Sequence, residues 1–203
     1  MKRYKVLLSL FCVLVFVFLA VGSDGNDEEP AAAPEEVVEE PEEEKEDPIT
    51  TETSPEETDS ATLGEKNALK TALDYLDYTS FSYSGLIKQL EFEGYTHEEA
   101  VYGADNCGAD WNEQALKSAL GYLDYSPFSY SGLVKQLEFE GFTNEQAVYG
   151  ADNCGADWNE QAALKAQDYL DYSSFSRDGL IAQLEHEGFT RQQAEYGVQA
   201  VGY

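Results

Sequence analysis

Basic side chains are scarce in this chain: twelve Lys and Arg stand against forty Asp and Glu, a formal net charge of -28 over 203 residues. A field of that sign repels phosphate backbones and anionic headgroups, and favours basic protein partners or divalent cations. It sets nucleic-acid binding aside, because holding a duplex takes several Lys or Arg at phosphates. Histidine is nearly missing as well. His97 and His186 fall at different places within otherwise near-identical units, which is not how a catalytic histidine recurs, and both read as surface residues. Neither a Ser-His-Asp set nor a His pair at metal-binding spacing is visible, so no enzymatic activity, metal or cofactor is expected.

Cysteine is also sparse. Cys12 lies in an apolar run; Cys107 and Cys154 are equivalent positions whose third counterpart is Val201. Valine there argues for a small apolar site and a packed free thiol. The alternative is a Cys107–Cys154 bridge in an exported protein, which needs their Cα atoms within about 7 Å.

Val6–Leu19 is the one long hydrophobic run, preceded by Lys2, Arg3 and Lys5 and followed by Ala20-Val21-Gly22. Residues 1–22 therefore read as a signal peptide cleaved before Ser23, or as an uncleaved N-terminal membrane anchor at the short limit for a hydrocarbon core of roughly 30 Å. Either reading exports the rest of the chain to the cell surface, the cell wall or the medium. Residues 23–63 carry 17 acids against Lys45 alone, with Pro30, Pro34, Pro41, Pro48 and Pro55 interspersed. Like-charge repulsion and fixed proline φ predict a disordered, extended acidic spacer.

What the sequence has in abundance is repetition. A-D-N-C-G-A-D-W-N-E-Q-A occurs at Ala104–Ala115 and again at Ala151–Ala162, 47 residues later. L-D-Y begins at Leu76, Leu123 and Leu170, and E-(F/H)-E-G at Glu91, Glu138 and Glu185. A fixed period of this length predicts an all-α protein of three tandem three-helix, helix-turn-helix-like repeats, at 64–111, 112–158 and 159–203.

The helix signals repeat too. Asp110 with Glu113 reads as a capping box before an apolar stripe of Ala115, Leu116, Ala119, Leu120 and Leu123, and Ser126-Pro127 ends that helix. A second helix starts near Ser129 and stops at Gly141, with equivalents at Gly94 and Gly188. A third is capped by Thr143 with Gln146, as by Thr96 with Glu99 and Thr190 with Gln193, and Gly150 and Gly155 are expected to bracket its end. The expected core of one copy is Leu123, Phe128, Leu133, Leu137, Phe142 and Ala147. Phe92, Phe139 and His186 share a position expected to be partly buried, while Trp111 and Trp158 are placed to pack between repeats. The Asp105–Glu113 run fails as a calcium loop, because its glycine and glutamate fall at the wrong positions.

What remains is a surface. Glu91, Glu93, Glu138, Glu140, Glu185 and Glu187 recur on the second helix, with Tyr83, Tyr130, Asp77, Asp124 and Asp171 nearby in the pattern. They read either as a solvated face that keeps the array soluble or as an acidic, aromatic-edged face that captures a basic segment of a partner, with repetition adding avidity.

C-G-A-D-W-N-E-Q-A, an alanine-rich helix, and F-S-x-x-G-L-I-x-Q-L-E-x-E-G-F-T together resemble the Ltp-type host cell surface-exposed lipoprotein family over residues 65–203. The resemblance implies superinfection exclusion: blocking DNA injection by an incoming phage, with the phage tape measure protein as target. It departs at Ser23, where a lipoprotein needs cysteine, which argues against lipid attachment, and in having three modules rather than two. The competing reading is a cell-wall-associated or adhesive host protein. Either way the chain is expected to be monomeric, to bind no nucleic acid, and to meet the membrane only through its N-terminal segment.

Overall fold

A computed structural model describes residues 61–203; the signal or anchor and the acidic spacer up to residue 60 lie outside them, while Thr62 and Leu63, expected in the spacer, instead cap and begin the first helix. The described residues form nine α-helices and no strand: α1 Leu63–Tyr78, α2 Tyr83–Phe92, α3 His97–Asn106, α4 Trp111–Tyr125, α5 Tyr130–Phe139, α6 Asn144–Asn153, α7 Trp158–Tyr172, α8 Arg177–His186 and α9 Arg191–Ala200. They group in threes, each first helix packing chiefly on the third of its own group, with the second helix across them. The all-α, threefold architecture is the one that the 47-residue period predicts.

Local chemistry explains the boundaries. Thr62, Thr96, Thr143 and Thr190 each accept from the backbone amide three residues on, and the Glu or Gln there reaches back to the threonine amide, closing a capping box. Asp110 departs from that pattern. Its Oδ1 accepts from Asn112 N at 2.9 Å and Glu113 N at 3.3 Å, but Glu113 does not reach back. Glu113 instead accepts the Tyr149 hydroxyl at 3.1 Å, tying α4 to α6. The second helices end alike. In α5, Gly141 donates to Glu138 O and Phe142 to Leu137 O, and Gly141 takes φ +91°. That pair of hydrogen bonds is a Schellman stop, and the left-handed φ is why glycine stands there.

Each module buries a small core. In the second it comprises Ala115, Ala119, Leu133, Val134, Leu137, Phe142, Ala147 and Ala151. Leu123 and Phe128, expected inside, pack half-buried against its edge, and Leu120 is exposed. The first helix turns its alanines inward because the third helix crosses it very closely: a Cβ on Gly150 would lie 2.8 Å from Ala115 O, and one on Gly197 2.6 Å from Ala162 O. Large side chains at that crossing would hold the helices apart. Gly150 therefore does not end α6, which runs through it to Asn153. Tyr95 replaces the buried Phe142 and Phe189 without loss, since its hydroxyl pairs with Thr71 Oγ1 at 2.9 Å.

The modules meet through a joint that is built twice. Ser82 Oγ donates to Glu140 O at 2.6 Å and Ser84 Oγ to Gly141 O at 3.0 Å; Ser129 and Ser131 repeat this on Glu187 O and Gly188 O at 2.6 and 2.9 Å. Tyr83 meets Trp111 edge-on at 5.5 Å between centroids, and Tyr130 meets Trp158 at 5.4 Å. The tryptophans do pack between repeats, as expected.

Candidate partner-binding surface

The six glutamates form two sets. Glu91, Glu138 and Glu185 are the penultimate residues of α2, α5 and α8, exposed, and each pairs with the first residue of the following helix. Glu91 meets His97 Nδ1 at 2.7 Å, Glu138 accepts from Asn144 at 2.8 Å, and Glu185 accepts from Arg191 at 3.3 Å. These contacts leave the carboxylates open to solvent on one side, and exposed pairs of this kind add little stability.

Glu93, Glu140 and Glu187 are C-cap residues and face the other way. Each accepts a tyrosine hydroxyl from the first helix of its module: Tyr75 to Glu93 at 2.9 Å, Tyr122 to Glu140, and Tyr169 to Glu187 at 2.5 Å. A glutamine completes each network by donating to the same hydroxyl: Gln89, Gln136 and Gln183, at 3.0, 3.0 and 3.1 Å. Glu140 and Glu187 also lend their backbone carbonyls to the joint. Burial pushes the Glu140 carboxyl above the usual range, with the Tyr122 hydrogen bond opposing it. These three acids knit helices together.

Burial first, then the neighbouring carboxylate, pushes the Tyr75 and Tyr169 hydroxyls up to about 12 and raises Tyr122 in the same direction. Ionising any of them would set a phenolate against a carboxylate. A pKa raised on folding contributes stability that is complete below the unfolded value near 10 and lost as pH climbs through the folded one. The urea midpoint should therefore fall between about pH 10 and 12, and fall less in a Tyr75→Phe/Tyr122→Phe/Tyr169→Phe chain. Parallel curves for the two proteins would refute the assignment.

The aromatic edge is not where the sequence places it. Tyr83 and Tyr130 are half-buried in the joints, their hydroxyls donating to Asp105 and Asp152 at 2.8 Å. Asp77, Asp124 and Asp171 are exposed at the ends of the first helices. Phe92 and Phe139, expected to be partly buried, are instead 79% and 72% exposed. Exposure of that position explains why His186 is tolerated in the third copy. On α2 and α5, then, an open carboxylate adjoins a bare phenyl ring.

Cys107 and Cys154 are free and half-buried, their thiols donating to Ala104 O at 3.1 Å and Ala151 O at 3.2 Å. Among the described residues there is no cluster of acid, histidine and cysteine fit to hold a metal, and no helix long and apolar enough to cross a membrane.

The sequence matches the family described as host cell surface-exposed lipoprotein three times, over residues 64–107, 110–154 and 157–201. The chain belongs to that family. Each match spans one group of three helices, so the family's unit and the structural module coincide. A solved structure, that of Ltp, a superinfection exclusion protein from the Streptococcus thermophilus temperate phage TP-J34, is 31% identical; the alignment covers 45% of this chain and 95% of that one, with a TM-score of 0.43. No curated protein matches the chain.

Sequence reasoning missed the joint of this family member. The signal was present: Ser82 and Ser84 recur as Ser129 and Ser131, then give way to Ser176 and Asp178.

Proposed function

We propose that this chain is a superinfection-exclusion protein, displayed at the cell surface, that blocks phage DNA injection by binding a basic segment of a phage injection component, the tape measure protein. Membership of a family described as surface-exposed lipoproteins supports the location. Superinfection exclusion is what the streptococcal phage protein is described as doing, and it comes to this chain as part of the proposal. The observation that carries the binding mode is the pairing of an open glutamate with a bare phenyl ring at Glu91-Phe92 and Glu138-Phe139. Acids steer and orient a cationic segment, and the rings offer apolar surface to its aliphatic stems. Two equivalent sites on one array raise avidity without tightening either.

Expression in a phage-sensitive strain tests the reading. Phage DNA entry is expected to fall while adsorption to the cell stays unchanged. Normal entry in cells that display the protein on their surface would overturn the proposal.

A further inference from the structure

Each joint has two unlike faces. The donor face is the start of the second helix of one module: Ser82, Tyr83 and Ser84, or Ser129, Tyr130 and Ser131. The acceptor face belongs to the next module: a tryptophan at the start of its first helix, and two carbonyls at the stop of its second. The third module carries the counterpart of the donor face at Ser176, Arg177 and Asp178, and it is altered.

We propose that Arg177 and Asp178 close this face of the third module to docking, so that copies of the chain do not string together head to tail. The two internal joints show what docking requires. The Ser84 hydroxyl donates a proton to Gly141 O, and a carboxylate at that position has none to give. Space is short as well: Ser84 Oγ lies 2.2 Å from where a Cβ on Gly141 would sit, and Ser131 Oγ 2.3 Å from the same point on Gly188. A side chain longer than serine meets the incoming backbone. Arg177 removes the ring that a tryptophan packs against, and it holds Asp178 at 3.6 Å. A separate observation points the same way. Phe81 and Phe128 lie at the joints, where their amides donate to Gln114 and Gln161 of the next module. At the equivalent Phe175 the chain's own Tyr203 hydroxyl reaches the carbonyl at 2.5 Å. Ser176 is accordingly exposed, where Ser82 and Ser129 are 2% exposed. Glycine-stopped second helices recur in every module, so the first module of another copy would offer Glu93 O and Gly94 O to an unaltered face, but no tryptophan, because Gly64 stands where Trp111 and Trp158 do; against that module the block rests on Asp178.

Moving the two residues into an internal joint tests this. In the full chain, Tyr83→Arg/Ser84→Asp is expected to release the first module from the second. Proteolysis within residues 107–110 should quicken about tenfold, the radius of gyration should rise, and far-UV helicity should hold, because the third module folds with the same pair in place. Ser84→Ala, which removes one hydrogen bond and adds no conflict, should change the cleavage rate less than about threefold. A grafted chain as closed as the parent would overturn the proposal, as would a Ser84→Ala chain as open as the graft. Loss of helicity in the graft would place the effect inside the module and would also overturn it. None of these readouts involves phage, so this inference stands or falls apart from the proposed function.

Discussion

Replacing Leu137 by alanine should destabilise the protein by about 2–5 kcal/mol, the range for emptying a fully buried leucine site. Leu137 has no exposed surface and lies among Ala115, Leu133, Phe142 and Ala147. Its carbonyl also takes the Phe142 amide in the helix stop, so the backbone is pinned and the site cannot collapse to fill the void. The consequence extends beyond one module. The second module lends Glu140 O and Gly141 O to the first and Ser129 and Ser131 to the third. In a linear array, where stability is carried by units and their nearest-neighbour contacts, the middle unit affects both joints. Leu120→Ala is the comparison, since Leu120 is 44% exposed and should cost less than about 1 kcal/mol. Urea unfolding followed by far-UV circular dichroism separates the two. Equal losses would mean that burial is wrongly apportioned along α4.

That contrast marks what a single sequence can and cannot convey. Periodicity, threonine caps and glycine stops are local signals, and they place the three-helix unit because each is satisfied within a few residues of itself. The inward face of the first helix depends on something non-local. Ala115 is buried and Leu120 is not because α6 passes so near that only Gly150 fits opposite. An apolar stripe read on one helix carries no record of how closely its neighbour crosses. Much the same holds for the surface. E-F-E looks like three residues of one acidic face, yet the helix turns Glu138 and Phe139 outward and Glu140 toward Tyr122. Half of the candidate site was thus legible as acid on the second helix. The division of labour within it was not, because it depends on Tyr75, Tyr122 and Tyr169, which lie 18 residues earlier on another helix.

Charge reversal exploits this division and has the largest expected effect on function. Glu91→Lys/Glu138→Lys/Glu185→Lys changes the three open carboxylates and should leave helicity and the urea midpoint near those of the parent, because exposed pairs contribute little. Affinity for the proposed partner, a basic peptide of the phage tape measure protein, should on that proposal drop at least about tenfold, most of it in the association rate and most at low salt, as for charges that steer an encounter. Glu93→Lys/Glu140→Lys/Glu187→Lys should do the opposite. Each change abolishes the acceptor of a tyrosine hydroxyl, and at Glu140 and Glu187 it sets an ammonium beside the joint carbonyls in a half-buried place. An unmet buried polar group costs about 1–3 kcal/mol, so this chain should unfold earlier, and lose binding only in proportion to the fraction unfolded. The two triple variants carry the same net charge, so a general loss of negative field cannot account for a difference between them. Retained affinity in the first would remove Glu91, Glu138 and Glu185 from the binding surface and shift the search to the exposed rings of Phe92 and Phe139, where serine substitutions provide the next comparison. Equal binding losses in both, at equal stability, would mean that the partner senses the field of the whole array rather than any face of it.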